Sequence, residues 1–445
     1  MSSVTETIFP KAEDPALVRE RKKTEAAQNA AAVSKALKAS IYYDGEKYWS
    51  KLPTARWAPD NQQLMASNLR NEYGISKGRD MDNVLFQIRK YRRVVGTFPY
   101  IHNGSEIIQE PAGPTLNTAH RQLLQPAAED GPFPWLKEFF DKIWDPAHPE
   151  QKDVFLAWFH RFYRSAYEGQ LRSGHAIIIA GDTNLGKTLF SRKIVGATMG
   201  GFTDAGSFLL GKTEFNKEAA ECAVWAVDDN RGSSTWEKHD EFSDAIKRFV
   251  ANPQIPYHPK FRDATTVTWR GRIIVTCNLD AKSLSILPDM DGSIRDKLML
   301  FKCADWRPSF VDVEAVIARE LPFFLRWLLA WTPEKPLDTN ERFGIDSWHH
   351  PDLLFKSFED SPAGLLSEML PRALKHHCLN DEKDTERWMT ATDIRALLDN
   401  DGLRSGLARF GGNRLGIALS KLVGGQIIKE VRRFKGYQQY LVVLK

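Results

Sequence analysis

The spacing of apolar and polar positions changes several times along the chain, and each change marks an expected element. Residues 1–40 pass through Arg19-Glu20-Arg21-Lys22-Lys23-Thr24-Glu25 and an alanine-rich stretch with few large side chains to anchor them. That composition predicts a flexible arm or a frayed helix. Ile41–Tyr43 and Glu46–Trp49 flank Asp44-Gly45, a strong short-range hairpin signal. They open a small α+β module over 41–130. From Phe133 to Glu168 the large residues recur at helical spacing: Trp135, Phe139, Phe140, Ile143, then Phe155, Trp158, Phe159, Phe162 and Tyr163. This predicts a helical collar. The pattern then becomes one of short, continuous apolar runs, His175–Ala180, Ala223–Val227 and Ile273–Thr276, which read as buried parallel strands. Residues 131–335 are therefore expected to hold the collar and an α/β core. Val313–Trp331 is amphipathic at helical spacing, with Pro322 expected to interrupt it. A Pro- and Trp-bearing linker, 336–362, should lead to a last domain, 363–445. There, helices over Thr392–Asp399 and Asn413–Val423 precede strands Gln426–Arg433 and Tyr437–Leu444 around Lys435-Gly436. Two helices and a two-stranded wing are the order of a winged helix-turn-helix.

The chemistry of this middle region is carried by Gly181-Asp182-Thr183-Asn184-Leu185-Gly186-Lys187-Thr188, a complete G-x-x-x-x-G-K-[ST] loop between an expected strand and an expected helix. Successive backbone N–H groups and a helix N-terminus in that setting cradle phosphates. Lys187 is expected to reach the β- and γ-phosphates of ATP, and the Thr188 hydroxyl to bind Mg²⁺. The strand ending in Asp228-Asp229 supplies the complementary acids: Asp228 for the metal, Asp229 to polarise the attacking water. Arg272–Cys277 ends in Asn278, whose amide is placed to meet the γ-phosphate and the water. Arg295, just before another apolar strand, is the candidate for a finger that reaches a neighbouring subunit's nucleotide, with Arg270 and Arg272 as competitors.

Charge and composition refine the choice of partner. The chain has 445 residues, 42% hydrophobic and 27% charged, a length for two or three domains, and no apolar run long enough to cross a membrane. No secretion signal opens it, and Cys222, Cys277, Cys303 and Cys378 match neither a zinc-site spacing nor a disulfide framework. A reducing cytoplasm, that of a bacterial host, is the expected setting. The net charge of +4 is small, but Arg404–Lys445 carries nine basic residues against one acid, Glu430, which points to a polyanion. Arg414, Lys421, Arg432, Arg433 and Lys435 are the DNA-contact candidates there. A second set, His258, Lys260, Phe261 and Arg262, lies at the tip of an expected hairpin between Ile255 and Trp269 and mixes charge with an aromatic face.

The order of loop, acidic strand, basic hairpin and Asn strand within Gly181–Asn278 resembles the superfamily 3 helicases, an AAA+ type of ATPase. It is most similar to the helicase part of phage and poxvirus primase-helicases. The resemblance is good over 175–303 and loose over 41–360, where the module with Tyr43, Tyr48 and Trp49, the segment Leu116-Asn117-Thr118 and the region Pro322–Trp327 are also similar. It implies a homo-hexameric ring with ATP between subunits, and it places Lys260 on the hairpin lysine that tracks single-stranded or forked DNA. It also implies a replication role beside a separate primase or replication protein. Asp-Asp departs from the Asp-Glu that often stands in that family and leaves open which acid is the base. Asp80-Met81-Asp82 has the spacing of a metal pair, but the roughly 170 residues before the core leave little room for a primase, and priming is not expected. The alternative class is a DNA-bound ATPase switch that does not translocate; a small-molecule kinase is a third reading.

Overall fold

Apolar alternation from Ile41 onward folds into strands within the first of two units of the chain, Met1–His120 and Arg121–Lys445. The structure is a computed structural model and describes residues 15–54, 56–76, 78–119, 122–209, 211–213, 217–228, 236–258, 265–284, 286–308, 311–359, 361–377, 386–400 and 414–443.

In the first unit, β1 (Ile41–Tyr43), β2 (Tyr48–Lys51) and β3 (Trp57–Asp60) form an antiparallel sheet. The hairpin turn between the first two is tied by Asp44, which accepts bonds from the Glu46 and Lys47 amides and from the Trp49 indole at 2.8 Å. Helix α1 (Pro15–Lys38) lies in the stretch expected as a flexible arm or a frayed helix. Its first half is exposed, but Ala32, Val33, Ala36 and Leu37 pack on a core of Tyr48 from β2 and Met65, Leu69, Val84 and Ile88 from α2 (Gln62–Tyr73) and α3 (Arg79–Tyr91). A stripe of small residues at helical spacing was hidden by the charge around it. Asp80 and Asp82 lie in the first turn of α3, where carboxylates favour the helix dipole. β4 (Gly96–Phe98), β6 (Gly113–Asn117) and β5 (Ile107–Glu110) make a second sheet. Asn117 is buried at its end, accepting bonds from the Tyr100 and Ala119 amides and donating to the Asn103 and Ser105 carbonyls. Each use is a backbone tie.

The second unit is built on the collar, α4 (Pro134–Lys142) and α5 (Glu150–Tyr167), whose aromatic rows interleave. Phe140 stacks on Phe324 at 4.9 Å and meets Phe155 at 5.9 Å. Behind it runs a five-stranded parallel sheet: β7 (Ala176–Ala180), β8 (Phe202–Thr203), β9 (Val224–Asp228), β12 (Arg272–Cys277) and β13 (Leu298–Lys302), in spatial order β13-β7-β12-β9-β8. Strands β7 and β12 are buried throughout, as continuous apolar runs require. Between them lie α6 (Lys187–Leu189), continued as π-helical turns over Phe190–Gly196, the short α7 (Gly206–Leu209) and α8 (Lys217–Ala220), α9 (Trp236–Ala251), and the antiparallel pair β10 (Gln254–Tyr257) and β11 (Thr265–Thr268). After α10 (Ala281–Leu284) and β13 comes α11 (Val313–Ala330). It runs through Pro322 unbroken, against the expected interruption, and the Pro322 carbonyl is taken by the Ala127 amide at 2.9 Å.

The described residues of the stretch expected as a linker, 336–362, pair with the core and enter a helix. Leu300 donates to the Trp348 carbonyl and His350 to the Leu300 carbonyl, so the chain lies along β13 before α12 (Pro351–Glu359) begins. Lys302 seals that strap, 3.1 Å from Asp145 and 2.6 Å from Asp352. The final segment holds α13 (Pro362–His377), β14 (Glu386–Thr390), α14 (Ala391–Asn400), α15 (Arg414–Lys421), β15 (Ile428–Phe434) and β16 (Tyr437–Val443). Its antiparallel sheet has the order β14-β16-β15 and one face on a core of Leu366, Leu370, Leu415, Leu419, Tyr440 and Val442. Among the described residues, no helix is long and apolar enough to cross a membrane.

Candidate functional site

β7 delivers the chain to Gly181 at the C-terminal edge of the sheet. A Cβ at Gly181 would stand 2.6 Å from the Cys303 Cβ on the neighbouring strand's exit, so only glycine fits. Burial pushes the Cys303 thiol up to about 12, and it stays protonated. Asn184 (φ 64°) and Gly186 (φ 87°) take left-handed conformations that turn the loop back into α6. Asp182, Thr183, Asn184 and Thr188 are exposed, Gly186 is partly exposed, and Leu185 is buried as the loop's anchor.

Lys187 begins α6 and is only 8% exposed. Its ammonium donates to the Gly181 and Asp182 carbonyls, both at 2.6 Å, and to Asn278 Oδ1 at 3.1 Å. The strand order explains the last contact. β12 sits between β7 and β9, with Cys277 opposite Ala180 and Thr276 opposite Asp228, so Asn278 emerges between the loop and the acid. Asp228 Oδ1 lies 3.4 Å from the Thr188 hydroxyl and also accepts from the Thr276 hydroxyl. Its other oxygen holds Arg192 Nη2 at 2.5 Å, and that guanidinium lies over the Phe202 ring. A hydroxyl and a carboxylate beside a buried ammonium form a hard-oxygen donor set that fits Mg²⁺ and a polyphosphate.

Four expected residues are thus brought together: Lys187, Thr188, Asp228 and Asn278. Asp229, Lys260, Phe261 and Arg262 lie outside the described residues; His258, just after β10, is partly buried. Arg295 is exposed on the turn before β13, at the opposite end of the sheet from this chain's own loop. Arg272 leaves the competition for a finger because it is 1% exposed at the start of β12 and lies over the Phe162 ring at 4.6 Å. Arg192 and Thr276 were not singled out from the sequence. Arg192 stands four residues after Thr188, one helical turn on, which was the available signal.

In the last segment, Arg414 and Lys421 bound α15, and Lys421 pairs with Asp289. Arg432 lies on β15 over the Trp388 ring at 4.0 Å, and Arg433 follows it, exposed. Lys435 (φ 48°) and Gly436 (φ 85°) form the turn, the paired positive angles of a type I′ hairpin.

A family model described as a family of unknown function, DUF5906, matches residues 179–295, the span from the end of β7 to Arg295. No curated protein matches the chain in sequence. Among solved structures, the C-terminal region of NrS-1 (residues 305–718) is similar in fold, with a TM-score of 0.55 at 12% identity, covering 94% of this chain and 98% of that one. A second structure of the same region gives 0.54 at 12% identity, with 94% and 99% covered. The JCV helicase is matched over 42% of this chain and 51% of that one at 11% identity, with a TM-score of 0.24. The chain is an α/β protein whose parallel sheet carries a P-loop, and its fold is similar to that of the NrS-1 C-terminal region over 94% of its length.

Proposed function

We propose that this chain is an ATP-dependent DNA helicase or translocase acting in replication as an oligomeric, AAA+-like ring of six copies. The observation that carries the reading is the convergence of Lys187, Thr188, Asp228 and Asn278 at one edge of the sheet, with the Asn strand inserted between the loop strand and the acid strand. Bound ATP and Mg²⁺ supply the phosphoanhydride and the charge that gathers its oxygens. Residues Gly181–Thr188 hold the phosphates through backbone N–H groups, and Lys187 offers them the ammonium that otherwise rests on the Gly181 and Asp182 carbonyls. Thr188 and Asp228 offer the metal two oxygens. The Asn278 amide orients a water, and Asp229 is assigned the base. Arg295, exposed and away from its own loop, is assigned to a neighbour's nucleotide.

In sequence, His258, Lys260, Phe261 and Arg262 fall between β10 and β11, and we assign them to single-stranded or forked DNA. The last segment, read as a winged helix, adds Arg414, Lys421, Arg432, Arg433 and Lys435. Strand separation on a forked duplex, with ATP, tests the reading. Wild type should open it and Lys187→Ala should not; equal separation by both would sink the motor. Lys260→Ala should lose the stimulation of hydrolysis by single-stranded DNA. A second reading, a DNA-bound ATPase switch, has one observation on its side: Arg192 holds one oxygen of the metal-site carboxylate, a brake suited to slow turnover. Sustained, DNA-stimulated turnover decides for the motor, and slow turnover with stable ATP-dependent oligomers for the switch.

A further inference from the structure

The C-terminal sheet has two faces of opposite character. Met389, Tyr440 and Val442 are buried against α13, α14 and α15, and Tyr440 donates to the Gly416 carbonyl at 2.9 Å. Alternation along the strands sends Trp388, Leu441, Gln439, Arg432 and Phe434 to the other side. There the Arg432 guanidinium lies 4.0 Å from the Trp388 centroid and 5.2 Å from that of Phe434, and its Nε donates to Gln439 at 3.0 Å. Phe434 is nonetheless 48% exposed, and its cross-strand partner Tyr437 is 69% exposed. Lys435, in the rigid type I′ turn, lies over the Phe434 ring. Glu430 is the acid of β15 on this face, beside Arg432, while Arg433 alternates to the other side and Glu386 on β14 is spent on Lys429.

We infer that this outer face is a stacking platform for single-stranded DNA, with Phe434 and Tyr437 taking bases and Lys435, in the turn between them, taking a phosphate. Large aromatic side chains left in solvent are costly for a surface with no partner. Interleaved with guanidinium and ammonium groups, they match the alternating ring and phosphate of a single strand. The same face suits a duplex poorly, because paired bases hide their rings in the stack. Arg432 is already held between Trp388 and Phe434, so it orders the platform and adds positive charge beneath it. The choice of DNA as the nucleic acid rests on the motor reading; the platform itself stands on the sheet face. It differs from the groove-reading role of a winged helix, which would use α15 on the opposite side.

The test is binding by the full chain, without nucleotide, of a fluorescein-labelled thymidine 20-mer and of a duplex of equal length, followed by anisotropy. Phe434→Ala and Tyr437→Ala should each weaken single-strand binding about tenfold, with little change on the duplex. Arg414→Ala, on α15, should show the reverse. Phe434→Trp should keep wild-type single-strand affinity, and thermal melting of each variant confirms its fold. Equal losses on both ligands, or none on the single strand, would overturn the platform. Wild type that binds the duplex but not the 20-mer would overturn it too, without touching the ATPase. A platform that fails while Lys187→Ala still abolishes unwinding leaves the motor in place.

Discussion

Two cations are buried in the same parallel sheet, Lys187 beyond the C-terminal end of β7 and Arg272 at the N-terminal end of β12, and their surroundings differ. Lys187 rests on two loop carbonyls and an amide oxygen, with exposed Thr188 and a partly buried Asp228 beside it. These partners are exchangeable, so a phosphate can replace them at little cost. Arg272 is enclosed. It donates to the Arg270 and Gly271 carbonyls, lies over Phe162, and leaves no space for a Cβ at Gly174. Burial pulls it down to about 9, so it remains charged at neutral pH, and its neighbour His175 is pushed down to about 3 by burial and by that charge. One end of the sheet keeps its charge available, while the other uses charge as packing.

The comparison is broken most easily by a pair of substitutions with opposite expected outcomes. Lys187→Ala should cut ATP turnover by about a thousandfold while shifting the melting temperature little, because the ammonium acts on charge that develops in the reaction. Arg272→Ala should cost about 3 kcal/mol of stability through the cavity and the two orphaned carbonyls, read by urea unfolding, with turnover per folded molecule nearly unchanged. A swap of these two outcomes would refute the division of the sheet.

Acid sharpens it further. His175 is neutral in the folded chain down to about pH 3, whereas in the unfolded chain it takes a proton near 6.5. Its contribution to stability is therefore complete above about pH 6.5 and is lost as the pH falls from there, at roughly 1.4 kcal/mol per pH unit. Unfolding midpoints at pH 7, 6 and 5 should fall more steeply for wild type than for His175→Phe; parallel slopes would remove the histidine from the acid response. The smallest expected effect is at Arg192. Removing it in Arg192→Ala frees one Asp228 oxygen and should lower the Mg²⁺ concentration for half-maximal ATPase by about threefold, the scale of a partly exposed ion pair. An increased requirement would recast Arg192 as a residue that positions the acid.

Much of the core was legible because its signals are local. The phosphate loop is eight consecutive residues, since successive backbone N–H groups do the binding, and continuous apolar runs mark β7, β9 and β12. Over 15–38 and 336–359 the packing was not legible for a common reason: small side chains and prolines in a polar background carry little local signal. The packing of Ala36 on α3 and the bonding of Trp348–His350 along β13 come from partners distant in sequence.

The sequence by itself determined the nucleotide loop, the acid and amide that follow it, and the basic excess after Arg404, because each depends on residue type and short spacing. The tertiary structure alone decided that β12 lies between β7 and β9, that Arg272 is sealed while Lys187 is reachable, and that Arg192 holds Asp228. It also brought Trp388 under Arg432, across an intervening strand and 44 residues of chain. Strand order and facing are set by the cooperative burial of whole elements, and no local window of sequence encodes which strand becomes whose neighbour.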